Sequence, residues 1–564
     1  MKRREFLSLA AVAAMPVAAQ DSIKGVVTNM DSHGDVPMPS GMDRASNVAL
    51  LAKAPVANRS LAVLTRSGNN LRSGAYTNET TFTPTSLVRN PPRKLFTIAL
   101  PGDARGLEAQ PLLVPGVTIT DGTAHDLLIS STMGNQVYAH DANDGTPLWQ
   151  VRLGNPILGS TRIDGWKINQ FWGVLSTGAV SGSKLYVVAW SSPDGTPPKA
   201  THRLHEIDVA DGSQSRPPIA LTSPSSIQRK QRASLTIVGT KLFIPWGTVQ
   251  ETADGAHGFI TGVDLATWKV FREWNATTKG SGAGIWMAGQ GPSCDDKHLY
   301  LMTGNGDYDG VNNFGESFVK LDLNLNVVDH WSPFRDSNRG TGGGWDDMDL
   351  GSGGCLYIPS LNLVLGAGKD GILYMLNANN LKAGPLRPPI FFTFNGLGLD
   401  AAPTDVRRLN TLVNGKTHHQ HSTPIYWNGK LFCWGENGNG RWWSIDKGGR
   451  VGFVGRTAEV ASPYSPASPG GMPGAMMCLS ASGNANGILW AVVPDGDANR
   501  LITTGRVFAF DVNNVGARMA DGDPQMTRLW MSDPHHTYNK FNVPLVSAGK
   551  LYVPTYDATI EVWG

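Results

Sequence analysis

Apolar and polar positions alternate along this chain in a unit that recurs eight times. Each unit has a short apolar strand, a tight turn that is Gly-Lys in its clearest copies, a second strand such as LYV, a loop rich in Gly and Asp, and a strand that ends near Asp. A repeated unit of about four strands is typical of a β-propeller. The pattern predicts an all-β fold, a single eight-bladed β-propeller of four-stranded antiparallel blades. The first strands are predicted to begin near Gln110, Thr177, Arg232, Gly291, Gly351, Ser422, Gly474 and Val543.

The last unit has no outer strand of its own, because the sequence ends at Gly564 directly after its third strand. The segment KLFTIAL at 94–100 is predicted to supply that strand and to close the ring, which removes an exposed sheet edge. We interpret residues 1–19 as an export signal, 20–60 as a linker or arm rich in Pro, Ser, Asn and Asp, and 61–564 as the propeller.

Long insertions fall before the first strand of a unit and between its second and third strands. In a propeller both positions open on the same side of the disc. Function in such folds is concentrated on loops that a rigid scaffold positions. The sequence therefore predicts that the functional site lies on this side, at the mouth of the central channel.

The N-terminus combines a basic start, an apolar stretch and the small residues VAA before Gln20. This order is typical of an export signal. Arg3 and Arg4, followed by Phe6 and Leu7, resemble the twin-arginine variant, and an ordinary secretory signal with two arginines is the alternative. Either signal predicts a periplasmic or secreted protein. No other apolar run is long enough to span a membrane.

Charge and cysteine content limit the partners and cofactors that can be expected. The formal net charge is only +2 and the body of the chain has no basic cluster, so nucleic acid is not expected as a partner. No Cys-x-x-Cys-His motif is present, so no covalently attached haem is expected on this chain. The spacings of Cys294, Cys355, Cys433 and Cys478 show no disulfide framework, and buried free thiols are expected.

The text AHDANDGTPLW, which ends at Trp149, resembles the blade-locking motif of quinoprotein dehydrogenases, eight-bladed propellers that hold pyrroloquinoline quinone (PQQ). In that motif the aspartate and the tryptophan dock neighbouring blades. The stretch from Gly282 to Gly310 is similar to the family's quinone-floor and calcium segment. This resemblance implies that Trp286 stacks under the quinone and that Asn305 binds calcium. A blade-packing tryptophan and a turn-forming asparagine are the alternatives.

Two further segments resemble the family. GKDGILYML places Lys369 where a cation contacts the quinone oxygens, with a solvated turn lysine as the alternative. In GTGGGWDDMDLG, Gly343 stands where we expect the family's aspartate base, so the resemblance leaves the base to an aspartate of the following cluster. The implied catalytic residues are Asp346, Asp347, Asp349 and Lys369. For calcium, Glu251 is the implied second ligand and Asp254 its alternative.

The resemblance as a whole implies an oxidoreductase that oxidises an alcohol or sugar hydroxyl, of a small molecule or a polymer, with PQQ and calcium in the channel. Electrons would pass to a separate acceptor. Two other functions remain open. The first is a non-catalytic propeller that acts as a scaffold for envelope or extracellular partners. The second is a metal-dependent oxidase or lyase.

The second alternative depends on histidines. His419 and His421 alternate in an extended segment before a first strand, so both fall on one face and are candidates to bind copper or zinc. Other histidines are predicted on the same side of the disc and could complete a ring. Surface histidines that bond the backbone are the alternative. These further histidines are His202, His205, His257, His418, His535 and His536.

Overall fold

The computed structural model describes residues 61–564 with internal gaps. The residues outside it are 1–60, 104, 162–168, 223–227, 251–254, 334–348, 370, 386–389, 392–418, 464–470, 500 and 534–535. The predicted signal and arm therefore lie outside the described residues, as do the candidates Gly343, Glu251, Asp254, Asp346, Asp347, His418 and His535. The described strands belong to one compact unit, Asn58–Gly564.

The described residues form eight four-stranded antiparallel sheets, the blades. Ahead of them the chain forms β1 (Ala75–Tyr76), α1 (Pro84–Arg89) and β2 (Lys94–Ala99). Blade 1 has β3 (Leu112–Thr118), β4 (Ala124–Ser131), β5 (Gln136–Asp141) and β6 (Pro147–Arg152), and β7 (Ile157–Leu158) and β8 (Phe171–Trp172) follow it. Blade 2 has β9 (Ala179–Ser181), β10 (Lys184–Ser191), β11 (Thr201–Asp208) and β12 (Ile219–Ala220). After β13 (Arg229–Lys230), blade 3 has β14 (Thr236–Val238), β15 (Lys241–Thr248), β16 (Phe259–Asp264) and β17 (Lys269–Asn275).

The other five blades follow the same order. Blade 4 has β18 (Ser293–Cys294), β19 (His298–Met302), β20 (Phe318–Asp322) and β21 (Val327–Trp331). Blade 5 has β22 (Cys355–Ile358), β23 (Leu363–Ala367), β24 (Ile372–Asn377) and β25 (Ile390–Phe391). Blade 6 has β26 (Ile425–Trp427), β27 (Lys430–Cys433), β28 (Asn439–Ile445) and β29 (Val451–Val460). Blade 7 has β30 (Met476–Ser482), β31 (Ala485–Pro494), β32 (Thr504–Arg518) and β33 (Pro524–Met531), and β34 (His536–Thr537) follows. Blade 8 has β35 (Leu545–Ser547), β36 (Lys550–Pro554), β37 (Thr559–Trp563) and, from the other end of the chain, β2.

Burial explains the repeated sequence pattern. The second strand of a blade lies between neighbouring blades, and β15 is buried along most of its length. The fourth strand lies outermost, and most of β17 is exposed. A strand that is covered on both faces reads as a continuous apolar run, as the LYV-type segments do. The predicted starts of the first strands precede the observed ones by a few residues, for example Gln110 against Leu112 and Arg232 against Thr236.

The ring is closed by the two ends of the propeller. β2 pairs antiparallel with β37, with Ile98 opposite Ile560. The Lys94 ammonium adds an ion pair of 2.6 Å to Glu561 on the same strand pair. The predicted eight-bladed all-β propeller, closed by an N-terminal strand, is confirmed.

Adjacent blades are docked by tryptophan side chains. The indole N–H of Trp149, on the outer strand of blade 1, donates to the Val209 carbonyl of blade 2 at 2.9 Å. Gly212 lies so close that a Cβ there would stand 2.7 Å from the Trp149 ring, which explains the glycine of this turn. Trp427, on the first strand of blade 6, donates its indole N–H to the Gly483 carbonyl of blade 7. The tryptophan of the motif at 139–149 therefore docks the next blade, as the resemblance implies.

Residues 61–79, which we term the axial segment, run along the first strands of the blades. Backbone N–H groups of blades 4, 5 and 7 donate to it at 2.8–3.1 Å, and Val63 pairs with Leu113 of blade 1. β1 extends blade 7 as a parallel strand. Ala75 belongs to the same buried apolar cluster as Ile425 of blade 6, and a Cβ at Gly74 would stand only 3.0 Å from the Ile425 side chain. The segment thus touches every blade. The remaining contacts are Leu61 and Glu79 with blade 8, Leu64 with blade 2 and Asn70 with blade 3.

Arg72 is the main polar anchor of the axial segment. Its side chain is fully buried. The guanidinium donates to the Pro292 and Leu235 carbonyls at 3.1 and 3.0 Å and to the Thr236 hydroxyl at 2.6 Å. It also donates to Thr65 and to the Arg66 carbonyl within the segment. Burial lowers the pKa of Arg72 to about 10, so it remains a cation at neutral pH.

Two of the predicted channel histidines belong to the blade core. His202 and His205 lie within β11 rather than in a loop. The His202 ring stacks on Trp190 at 4.6 Å and meets Trp246 edge-on at 4.9 Å. His205 bonds to Gln214. The prediction that these two complete a ring of metal-binding histidines is wrong, because strand pairing places them between blades.

The four cysteines are free and buried, as expected from their spacing. Cys294, Cys355 and Cys478 lie on first strands, whereas Cys433 lies on the second strand of blade 6. Burial raises the pKa of the Cys294 and Cys355 thiols to about 11. These thiols are therefore protonated at neutral pH and pack as small apolar groups.

Replacement of Arg72 tests the axial segment. Arg72→Met leaves several buried acceptors without a donor, at about 1–3 kcal/mol each. We expect a loss of about 3 kcal/mol or more in the free energy of unfolding, measured by denaturant titration. The exposed Arg89→Met is the matched control and should change it by less than about 0.5 kcal/mol. Equal midpoints for both variants would contradict the anchoring role.

Acid should destabilise the protein through His202. Burial, followed by the charge of Arg229, holds the pKa of this imidazole well below its ordinary value. The unfolded chain takes up the proton below about pH 6.5 and the folded protein does not, so the free energy of unfolding falls by about 1.4 kcal/mol per pH unit for this group. In His202→Gln, the free energy of unfolding should fall less steeply between pH 6 and pH 5, by the contribution of about one proton taken up on unfolding. An unchanged slope in denaturant titrations at these pH values would refute the assignment.

Candidate functional site

Six of the predicted site residues lie on the loop side of the channel. A first strand starts, and the antiparallel second strand ends, at the same face of the disc. The loops at these positions therefore meet around the channel mouth. Trp286 precedes β18, Asn305 follows β19, Asp349 precedes β22, Lys369 follows β23, and His419 and His421 precede β26.

Trp286 is held by an unusual turn. The next three residues, Met287, Ala288 and Gly289, have φ values of 39°, 47° and 82°, a left-handed run that costs energy at the two residues with a Cβ. The turn is secured by Arg66 of the axial segment, which donates to the Ala288 carbonyl at 3.1 Å. Strained backbone of this kind is found at sites that must hold one side chain in place.

Three aromatic rings meet at this turn. Trp286 and His421 face each other with centroids 6.0 Å apart and planes 29° from parallel. Phe541 meets Trp286 at 6.2 Å and an angle of 61°. Arg66 joins them from the axial segment through a bond of 2.6 Å to the Phe541 carbonyl. Burial lowers the pKa of Arg66 to about 9.

Asn305, Asp349 and Lys369 are in direct contact. The Asp349 N–H donates to the Asn305 amide oxygen at 3.1 Å, and the Asn305 N–H approaches the Asp349 carboxylate at 3.4 Å. The Lys369 ammonium lies 2.7 Å from the other carboxylate oxygen of Asp349. All three side chains are buried. The ammonium compensates the carboxylate charge, which lowers the free-energy cost of burying both groups.

A second carboxylate borders this group. Glu316 is buried, and its side chain accepts the Leu350 N–H at 2.6 Å, one residue beyond Asp349. Its backbone also has a positive φ of 48°. Two carboxylates, one amide and one ammonium therefore share the space between blades 4 and 5.

His419 and His421 lie beside blade 6 together with Glu436. The Nδ1 atom of His419 is 3.0 Å from the Glu436 carboxylate, and the two histidine rings are 5.8 Å apart. The ligand atoms of the three residues all lie within 4.8 Å of one another. Burial, with smaller effects of His419 and Lys369, holds the pKa of His421 well below its ordinary value. The effect of Lys369 links this group to the Asp349 ion pair.

Further charges lie close to Phe541. Arg232 forms an ion pair of 2.9 Å with the buried Glu108 and stands over the Phe541 ring at 5.0 Å. Lys540 lies 4.0 Å from the same carboxylate and 5.7 Å from the ring centre. The mouth thus carries two cations at Phe541 in addition to Lys369 at Asp349.

Sequence reasoning identified much of this site. It predicted Trp286, Asn305, Asp349, Lys369, His419 and His421, and the structure brings all six together. His257 lies between the second and third strands of blade 3, where its ring bonds the Thr277 hydroxyl. The sequence did not single out several residues because they stand in no motif. These residues are Arg66, Glu108, Arg232, Glu316, Glu436, Lys540 and Phe541. A signal existed for Glu436, which occupies the loop between second and third strands, where Asn305 and Lys369 also lie.

Comparison with known proteins supports the fold. No protein-family model matches the chain, and no curated protein sequence matches it. A quinohemoprotein alcohol dehydrogenase from Pseudomonas putida HK5 is similar in structure, with a TM-score of 0.55 and 15% identity, over 89% of this chain and 80% of that chain. The quinohemoprotein alcohol dehydrogenase of Comamonas testosteroni matches with a TM-score of 0.54 and 15% identity, over 89% of this chain and 80% of that chain. A europium-containing methanol dehydrogenase matches with a TM-score of 0.50 and 12% identity, over 87% of this chain and 81% of that chain. This chain therefore shares the propeller fold of quinoprotein alcohol dehydrogenases.

Proposed function

We propose that the protein is a quinoprotein-like oxidoreductase that oxidises an alcohol or sugar hydroxyl at the mouth of its channel. The contact between Asp349, Lys369 and Asn305 beside the Trp286 turn carries this proposal. These residues come from separate loops, and each lies in a different segment that resembles the quinoprotein dehydrogenases. Their meeting in one buried group is what a reaction centre requires and what unrelated turn residues do not need.

The group has suitable donors for calcium. Asn305 offers an amide oxygen and Glu316 a carboxylate, which are the ligands that calcium prefers. Glu316 would take the place of Glu251, the second ligand that the resemblance implies. Asn305 accepts the Asp349 N–H and Glu316 accepts the Leu350 N–H, so both donors are already ordered.

The channel mouth also has suitable chemistry for an anionic planar quinone. Trp286 and Phe541 are aromatic neighbours, Arg232 and Lys540 are cations beside Phe541, and Lys369 is a cation that acts on His421. The distance between Trp286 and His421 limits how such a group could bind. A planar ring stacked between two others needs their centroids to be about 7 Å apart, whereas those of Trp286 and His421 are 6.0 Å apart. The quinone would therefore need the His421 ring to shift if it lay between the two.

The residues of the chain then have distinct roles. Bound PQQ would supply the two-electron acceptor. Asp349 would take the hydroxyl proton of the substrate, since general bases within reach of the reacting group accelerate such steps. Lys369 balances the carboxylate charge and offers its ammonium to oxygens that become negative. Asn305 fixes the position of Asp349 through the two backbone-linked bonds. A separate acceptor would receive the electrons.

Reconstitution tests the proposal. The full chain is incubated with PQQ and calcium, and dye-linked oxidation of a panel of alcohols and sugars is measured. We expect saturable quinone binding in the wild type. Trp286→Ala should lose binding. Asp349→Asn should keep binding and lose turnover by about 10²–10⁴-fold, the usual contribution of a general base.

Two variants serve as controls. Trp268→Ala removes a tryptophan that bonds Pro217 at the outer edge of a blade, and Asp309→Asn removes a carboxylate from an exposed loop. Both should bind and turn over as the wild type does. Absence of binding at tens of micromolar PQQ, or full turnover in Asp349→Asn, would overturn the proposal and favour the non-catalytic scaffold.

We propose that the protein acts in the periplasm or outside the cell. No helix in the described part of the chain is long and apolar enough to cross a membrane. The proposal rests on the export signal predicted at 1–19. The double variant Arg3→Lys, Arg4→Lys should remain in the cytoplasm of a bacterial host, measured by cell fractionation and immunoblot, while Lys24→Arg is exported. Normal export of the double variant would indicate an ordinary secretory signal.

A further inference from the structure

We propose that His419, His421 and Glu436 bind one divalent first-row transition-metal ion, with zinc as the expected ion. The site is separate from the calcium donors and does not depend on the quinone. It goes beyond the oxidoreductase proposal because it assigns a second inorganic ligand to the channel mouth.

The position of the three residues within blade 6 brings their donors together. His419 and His421 precede β26, and Glu436 lies between β27 and β28. The Glu436 N–H donates to the His419 carbonyl at 3.1 Å, so the two loops are bonded side by side. All ligand atoms lie within 4.8 Å of one another. Donors that share a zinc ion at 2.0–2.2 Å stand up to about 4 Å apart, so small side-chain rotations suffice to complete the site.

The environment of the His421 side chain also indicates a bound ligand. Its side chain is fully buried. Neither ring nitrogen has a hydrogen-bond partner among the described residues. A buried polar group left in this state costs about 1–3 kcal/mol. A metal bond to one nitrogen removes that cost, whereas simple packing against Trp286 does not.

The surrounding backbone is rigid in a way that suits a preformed site. Gly435 lies so close to the histidine segment that a Cβ there would stand 2.0 Å from the Gln420 amide and 2.8 Å from the His419 carbonyl. Gln420, between the two histidines, is bound to blade 5 through its N–H to Gly368 and its carbonyl from Ser352. Its neighbours on either side are thereby held facing Glu436.

The donor set selects the kind of ion. Two imidazoles and one carboxylate are the ligands of catalytic zinc sites, which keep a fourth position for water or substrate. Imidazole nitrogen favours zinc or copper, while calcium favours oxygen alone. The His421 ring also faces Trp286 at 6.0 Å, so the ion would lie beside the reaction centre proposed above.

Metal titration tests this site without quinone or turnover. The full chain is treated with chelator, and Zn²⁺ is added in competition with a coloured indicator. We expect one equivalent to bind. His421→Gln and Glu436→Gln should each weaken Zn²⁺ binding by about 100-fold or more, because loss of a residue that only supports a ligand already costs about 10–100-fold. The thermal unfolding midpoint should rise with Zn²⁺ in the wild type and not in either variant.

His202→Gln is the matched control, because it also removes a buried imidazole but lies within blade 2. It should bind Zn²⁺ as the wild type does. Copper(II) offers a second readout, since its electron paramagnetic resonance spectrum should show nitrogen coupling that is lost in His421→Gln. If that variant does not fold, Glu436→Gln decides, because it keeps the side-chain volume. Less than one equivalent of Zn²⁺ at 100-fold excess, or unchanged affinity in Glu436→Gln, would overturn the proposal whether or not PQQ binds.

Discussion

The strand pair between Lys94–Ala99 and Thr559–Trp563 is the constraint on which the rest of the structure depends. Eight blades bury their faces only against one another, so an open ring would leave two faces and one sheet edge uncovered. Closure fixes the angle at which every blade stands. The same angle decides that the loops before each first strand and after each second strand converge on one mouth. The candidate site is therefore a product of the closed ring and not of any single blade.

The sequence predicted the ring well because its signals are local and repeated. Each blade has the same alternation of apolar runs and turns, and the missing outer strand of the last unit could be matched to KLFTIAL at the other end of the propeller. It also predicted that Asn305, Lys369 and Asp349 belong to the site. Their distances could not be predicted, since each comes from a different loop and contact requires the closed ring.

Other parts of the site could not be predicted for identifiable reasons. Glu436 stands between glycines and asparagines, and its position in the loop between second and third strands is a weak signal. Its contacts with His419 become visible only in the structure. Arg66 belongs to a segment without periodicity, whose partners are spread over the whole propeller. His202 was misplaced because it stands between Thr201 and Arg203, a polar stretch that is as typical of a loop as of a strand. Its packing against Trp190 and Trp246 depends on the contact between blades 2 and 3.

The axial segment has a consequence for how the site responds to changes elsewhere in the ring. It contacts the first strand of every blade, and Arg66 reaches from it to the turn that carries Trp286. Eight sequentially distant blades therefore share one continuous piece of chain with the candidate site. A substitution that loosens any one blade from this segment can change the position of Trp286 without touching it.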